Sequence, residues 1–269
     1  MASEKTPPGA FYERAGADRF SATSATASPW GDTLQHGSPP TALLVHALGE
    51  RHPRDDMRVA RVAADFLGPI PLGVVTVRTR VLRPGRRIEM LEGALESGGR
   101  DAVVVRVWRI ATQAAGSIPD GVTTHDAVPA LPPEQPQRNG FGLAAWGYGD
   151  AFEWRFLYGG IGDLGPAAVW SRVKVPLIAG ERLQPLDRLL LVVDSANGIS
   201  GELPFRNWLF VPPSLSLALL RYPDGDWTYM EARTAISGDG LGVTSARYGD
   251  ARGYLGAGTQ ALFVESRAG

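Results

Sequence analysis

The sequence predicts an α+β protein of two tandem units, each an antiparallel sheet wrapped around one central helix. Three observations carry that reading. An apolar helical stretch followed by a series of strand-like runs occurs twice along the chain. The runs are separated by the Gly and Pro residues expected of antiparallel hairpins. The second helical stretch, 186–193, is apolar enough that it must be buried on most sides, which calls for a sheet around it. At 269 residues the chain suits one large domain or two small ones.

The first unit is expected over residues 1–112, with 1–16 a frayed lead-in and 20–26, rich in Ser and Thr, a first strand. Ser38-Pro39-Pro40 then opens a helix, since Ser is a good N-cap and Pro is tolerated in the first turn. The helix runs through Leu48 and stops near Gly49 to Pro53. Strands follow at 58–67, 74–82, 87–96 and 102–111, with turn residues at Pro69 to Gly73, Pro84-Gly85 and Gly98-Gly99 between them. Residues 113–140 hold Pro119, Pro129, Pro132, Pro133 and Pro136 among small and polar residues, and read as a linker between units.

The second unit is expected over 141–269. Strands are predicted at 152–157 and 169–175, then a helix over 186–196 opened by Pro185 and closed by Asn197-Gly198. Strand-like runs return at 205–211, 214–221, 227–236, 243–248 and 254–264. Sliding this half over the first superposes Pro71 on Pro223, Gly73 on Gly225 and Arg100 on Arg252 without a gap. A sheet wrapped about a central helix is the hotdog arrangement, here present twice.

Composition narrows the function. A net charge of −1 argues against a nucleic-acid binder working through bulk positive field. With no cysteine there is no disulfide scaffold, thiolate metal site or cysteine nucleophile. The N-terminal stretch lacks the apolar run of a signal peptide, and the longest aliphatic run, 189–193, is far short of the ~20 residues of a membrane helix. A soluble, cytoplasmic protein without a membrane span is expected. Gly160-Ile-Gly162-Asp-Leu-Gly165 matches a dinucleotide fingerprint, but a strand-like run follows where the fingerprint needs a helix, so it reads as a hairpin. Neither a G-x-S-x-G elbow nor a P-loop occurs, and His36, His46, His52 and His125 show no metal-ligand spacing.

Three positions invite chemistry. Asp194 ends an apolar helix, where a carboxylate opposes the dipole and burial adds a desolvation cost; it is either catalytic or held by a structural partner. Gln260 interrupts a strand apolar on both faces and needs buried hydrogen-bond partners. His36 precedes Gly37-Ser38 at a helix start, either as a plain turn or at free amides that favour an anion. Ser214 and Ser216 share one face of their strand, and Leu215, Leu217 and Leu219 share the other.

On these residues the chain resembles the acyl-CoA thioesterase II-like family of double-hotdog hydrolases, from about residue 18 to 267. The resemblance implies a catalytic set of Asp194, Ser214 and Gln260, matching an Asp on the second helix, a Thr or Ser opening a later strand and a Gln in the last strand. Asp194 would act as general base, and Ser214 and Gln260 would orient the attacking water. His36, Gly37 and Ser38 would bind substrate, the Gly37 amide facing the thioester carbonyl. The implied partner is an acyl-CoA or other acyl thioester, cleaved to free acid and thiol without cofactor or metal. A homo-oligomer formed through sheet edges or exposed faces is also expected. Two departures stand out: Ser216-Leu217 where well-studied members carry an Asp-His pair, and Gly37-Ser38 where they carry two glycines. The first makes Ser216 the alternative to Ser214. Other readings of the same fold are an acyl or polyketide binder that does not hydrolyse, and an enoyl-thioester hydratase, which calls for an Asp and a His together near the helix start.

Overall fold

The computed structural model describes residues 9–114, 116–122, 126–137, 141, 143 and 146–267. His125, residues 1–8 of the expected lead-in and parts of the expected linker lie outside the described residues. The strands of the first half are β1 (Tyr12–Arg14), β2 (Arg19–Ala22), β3 (Ala27–Ser28), β4 (Gly31–Gln35), β5 (Met57–Phe66), β6 (Val74–Arg83), β7 (Ile88–Ser97) and β8 (Arg100–Ala111). Those of the second are β9 (Phe152–Tyr158), β10 (Ala167–Val173), β11 (Trp208–Leu219), β12 (Trp227–Ile236), β13 (Leu241–Asp250) and β14 (Gly253–Ser266). The helices are α1 (Ser38–Arg51), α2 (Gly147–Asp150), α3 (Pro185–Leu190) and α4 (Ala196–Ile199).

Among the described residues, all strands but the small β3–β4 hairpin join one antiparallel sheet of 12 strands. Its order is β1-β2-β6-β7-β8-β5 in the first half and, read inward from the other edge, β9-β10-β12-β13-β14-β11 in the second. The two sequences of elements correspond one for one, which is the internal repeat seen in three dimensions. The halves meet where β5 pairs with β11, from Arg61 opposite Ala218 to Asp65 opposite Ser214. Each half curls around its own helical segment, and the fold is the double hotdog the sequence predicts.

Several local expectations change. Tyr12 pairs with Ala22 and is fully buried, so the lead-in contains a strand, whereas 24–26 is a 3-10 turn. Gly37, not Ser38, caps α1; Ser38 is its first residue, and Pro39 and Pro40 complete the first turn. The runs expected at 205–211 and 214–221 form a single strand, β11, with a register shift between Val211 and Ser214. Pro212 and Pro213 fill that bulge, the place in a strand where the missing N–H groups cost least. In the Pro-rich segment expected as a linker, described residues pack along the second half, where Pro129 O accepts from Trp170 Nε1 at 3.2 Å and Gln135 Oε1 from Phe156 N at 2.8 Å. Residues 160–165 form the loop of the β9–β10 hairpin, with no helix after it. Among the described residues no helix is long and apolar enough to cross a membrane.

The second helix departs most. Instead of running from 186 to 196 it breaks after Leu190, passes through a 3-10 turn at Val193–Ser195 and resumes as α4, with Asn197 and Gly198 inside the last turn rather than capping it. Consecutive β-branched residues, Val192 and Val193, lower helix propensity at the break. Groups from elsewhere in the fold take up the carbonyls that a continuous helix would satisfy. Tyr148 donates to Leu191 O at 2.6 Å, Tyr248 to Val193 O at 3.1 Å, and Gln260 Nε2 to Asp194 O at 3.3 Å. Tyr248→Phe leaves the buried Val193 carbonyl without its donor, and should cost about 1–3 kcal/mol. Urea midpoints check this, and an unchanged midpoint would contradict the role given to Tyr248.

Candidate active site

The break in the second helix turns Asp194 toward the start of α1. The Asp194 N–H donates to Ser38 Oγ at 3.0 Å, tying the two helical segments together. Asp194 is 5% exposed, and its carboxylate accepts from Gln260 Nε2 at 2.8 Å. The Gly37 N–H faces the same carboxylate. A Cβ on Gly37 would stand 2.6 Å from Asp194 Oδ2 and 2.8 Å from the Phe66 ring, so this approach requires glycine. Burial pushes the Asp194 carboxyl up to about 7, with the Gln260 and Gly37 hydrogen bonds pulling the other way.

Gln260 is committed on both sides. Its carbonyl accepts from Asn197 N at 3.1 Å while its amide holds Asp194 Oδ1. Its amide is thus spent on the Asp194 side of the pair, holding the carboxylate in place. Gln260→Leu removes a bond that favours the charged form, so the carboxyl should titrate higher. The pH dependence of the site's activity reports that shift, and a midpoint that stayed put or fell would remove Gln260 from this role.

His36 is 9% exposed, stacked on Tyr148 with ring centroids 3.9 Å apart and planes 5° from parallel. Its Nδ1 accepts from Ser38 N at 3.2 Å and stands 3.5 Å from Asp194 Oδ2. Burial drives the imidazole down to about 3, so it is neutral and the contact with Asp194 is not an ion pair. Tyr148 also meets Ser195 Oγ at 2.7 Å. Sequence reasoning missed Tyr148 and Asn197, because neither lies in a periodic run that would mark it as buried.

The serines of β11 do not join this group. Leu215 is the residue opposite Gln260, and both are buried, so Ser214 and Ser216 point to the other face of the sheet. The β11 residues that reach the site are Leu209, Val211, Pro212 and Pro213, all apolar. The strand supplies no hydroxyl. Nor are the amides at the start of α1 free: one faces Asp194, the next is held by His36 Nδ1, and Pro39 and Pro40 have none.

Asp194 and His36 open onto a cavity of about 410 Å³. Trp30, Phe66, Phe141, Trp146 and Ile161 make much of its wall, and no lysine or arginine is among its described lining residues. Such a wall fits an apolar chain or ring, with the polar pair marking where chemistry would occur. The other described histidines serve elsewhere: His46 Nδ1 is 2.9 Å from Asp187 Oδ2 between α1 and α3, and His52 Nε2 is 3.1 Å from Thr79. Among the described residues no group of three or more acidic or imidazole side chains could hold a metal ion.

Family models decide the relationship. Residues 26–110 match the acyl-CoA thioesterase N-terminal domain and residues 120–264 match the acyl-CoA thioesterase C-terminal domain. The chain belongs to the acyl-CoA thioesterase family. Solved structures agree with the family at the level of fold. The chain is similar to a conserved protein of unknown function with hot dog fold from Alicyclobacillus acidocaldarius, with TM-score 0.70, 15% identity and coverage of 94% of each chain. It is also similar to the acyl-CoA thioesterase II TesB2 of Mycobacterium marinum, with TM-score 0.67, 16% identity and coverage of 96% of each chain. The tesB protein of Mycobacterium avium subs paratuberculosis gives TM-score 0.67 at 14% identity, covering 94% of this chain and 95% of its own. No curated protein matches the sequence.

Proposed function

We propose that the protein hydrolyses an acyl-CoA or related acyl thioester to a free acid and a thiol by direct attack of water, with Asp194 as general base. The observation that carries this reading is a buried carboxylate, raised to about 7 and held by Gln260 at the end of an apolar cavity. A base poised near neutrality is matched to removing a proton from water. The acyl group lies against the apolar wall and its carbonyl carbon stands beside Asp194. Asp194 takes one proton as the water oxygen bonds to that carbon, and the carbonyl oxygen gains charge. When the carbon–sulfur bond breaks, the same proton passes to the departing sulfur. The test is thiol release from acyl-CoAs of short, long, branched and aromatic acyl groups. Tight acyl binding without thiol release would replace hydrolysis with an acyl-binding role.

One observation favours a second reading. The sequence separates His36 from Asp194, yet the fold brings them within 3.5 Å at the start of α1, the pairing an enoyl-thioester hydratase calls for. A 2-enoyl-CoA in the same panel separates the two, because hydration consumes the double bond and keeps the thioester.

A further inference from the structure

Hydrolysis by Asp194 leaves a second requirement: a donor for the oxygen that gains charge. The start of α1, where such donors are usually found, is spent. Gly37 N–H faces the Asp194 carboxylate, Ser38 N–H goes to His36 Nδ1, Pro39 and Pro40 carry no N–H, and Thr41 N–H donates to Gly37 O at 3.3 Å. Gln260 and Tyr148 are both committed, to Asp194 and to Leu191 O.

Trp146 Nε1 has no partner among the described residues but is sealed from solvent, which leaves the His36 ring. Because Nδ1 accepts the Ser38 N–H, the single proton of the neutral ring belongs on Nε2. That nitrogen has no partner among the described residues, and it is not among the buried atoms sealed from solvent. His36 lines the cavity and holds Nδ1 beside Asp194, so Nε2 is the ring nitrogen left for a group bound there. The face-to-face stack on Tyr148 and the Ser38 bond fix its plane. We infer that His36 Nε2–H is the donor to the thioester carbonyl oxygen, polarising it in the ground state and stabilising the oxyanion as water attacks. This rests on the hydrolysis reading above. The ring acts as a neutral electrophile, not as a second base, and the Ser38 amide serves to place the proton on the nitrogen that faces substrate.

Two substitutions separate that donor from a merely structural ring. His36→Asn can keep an acceptor for the Ser38 N–H but places no donor at the Nε2 position. His36→Gln extends an amide N–H toward that position. Losing one oxyanion donor costs ~10²–10³-fold, so kcat of His36→Asn should fall about 10²-fold with KM changed by no more than about threefold. His36→Gln should keep kcat within about tenfold of the parent. The acidic limb of the pH profile, which belongs to Asp194, should stay in place in both. A His36→Asn protein with near-parental kcat, or with its limb displaced, would overturn the assignment in favour of a role in positioning Asp194. Infrared spectra of a bound octanoyl-CoA analogue, with CH2 in place of sulfur and a 13C-labelled carbonyl, provide a readout independent of turnover. The carbonyl band should lie lower in frequency on the parent protein than on His36→Asn, and equal bands would overturn the inference. If the parent protein released no thiol, hydrolysis would fail as a reading while the carbonyl band still decided the donor.

Discussion

Replacing Asp194 with asparagine should lower kcat for thioester cleavage by ~10²–10⁴-fold, the range general base catalysis supplies. The same change should stabilise the fold at neutral and alkaline pH. The native carboxyl titrates at about 7, against ~3.9 for an unfolded Asp. The native state therefore holds its proton over a range where the unfolded state has lost it. Parent stability then falls as pH rises from about 4 toward 7, and the loss is complete above 7. Asparagine has no proton to lose, so the variant's advantage is absent near pH 4 and grows to on the order of 2–4 kcal/mol by pH 8. Urea unfolding of both proteins at the two pH values checks it. A variant that is less active but no more stable at pH 8 would show that the carboxylate is not strained by burial.

The second large effect is expected at Gly37. Its backbone, at φ −69 and ψ −24, is open to any residue, so Gly37→Ala adds no conformational strain. The cost comes from the methyl group, which meets Asp194 Oδ2 at 2.6 Å and the Phe66 ring at 2.8 Å. Overpacking of this kind costs about 1–3 kcal/mol. Moving a base by even an ångström costs activity on the order of 10²-fold, so kcat should fall further than stability suggests. Parental kinetics in Gly37→Ala would mean that the approach of α1 to Asp194 is irrelevant to turnover.

Much of the fold was legible because hairpin turns announce themselves. Pro84-Gly85 and Gly98-Gly99 mark two strand ends in the first half, and the superposition of Pro71 on Pro223 anticipates the matched sheet order. The short β1 was not legible, since three residues show no period and Tyr12 is buried by partners distant in sequence. The broken helix hid for the same reason: Tyr148, Tyr248 and Gln260 satisfy its freed carbonyls, and nothing in the apolar run itself announces them.

The site divides along the same line. Asp194 and Gln260 stood out because a polar group in an apolar run demands a partner, and each proves to be the other's. The alternation of Leu215 and Leu217 with Ser214 and Ser216 put serines and leucines on opposite faces, and the burial of Leu215 and Leu217 shows that the leucine face is the inner one, whereas the family resemblance drew Ser214 into the site. His36 was legible as a residue at a helix start, but not its tautomer, which depends on where the Ser38 N–H points.

The most direct test of the mechanism is a single turnover in H2(18)O with protein in excess over thioester. Attack by a water that Asp194 activates predicts one atom of solvent oxygen in every product carboxylate from the first turnover. Product free of solvent label, with the label recovered on Asp194 instead, would mean that the carboxylate attacks the carbonyl itself and would contradict the general-base account.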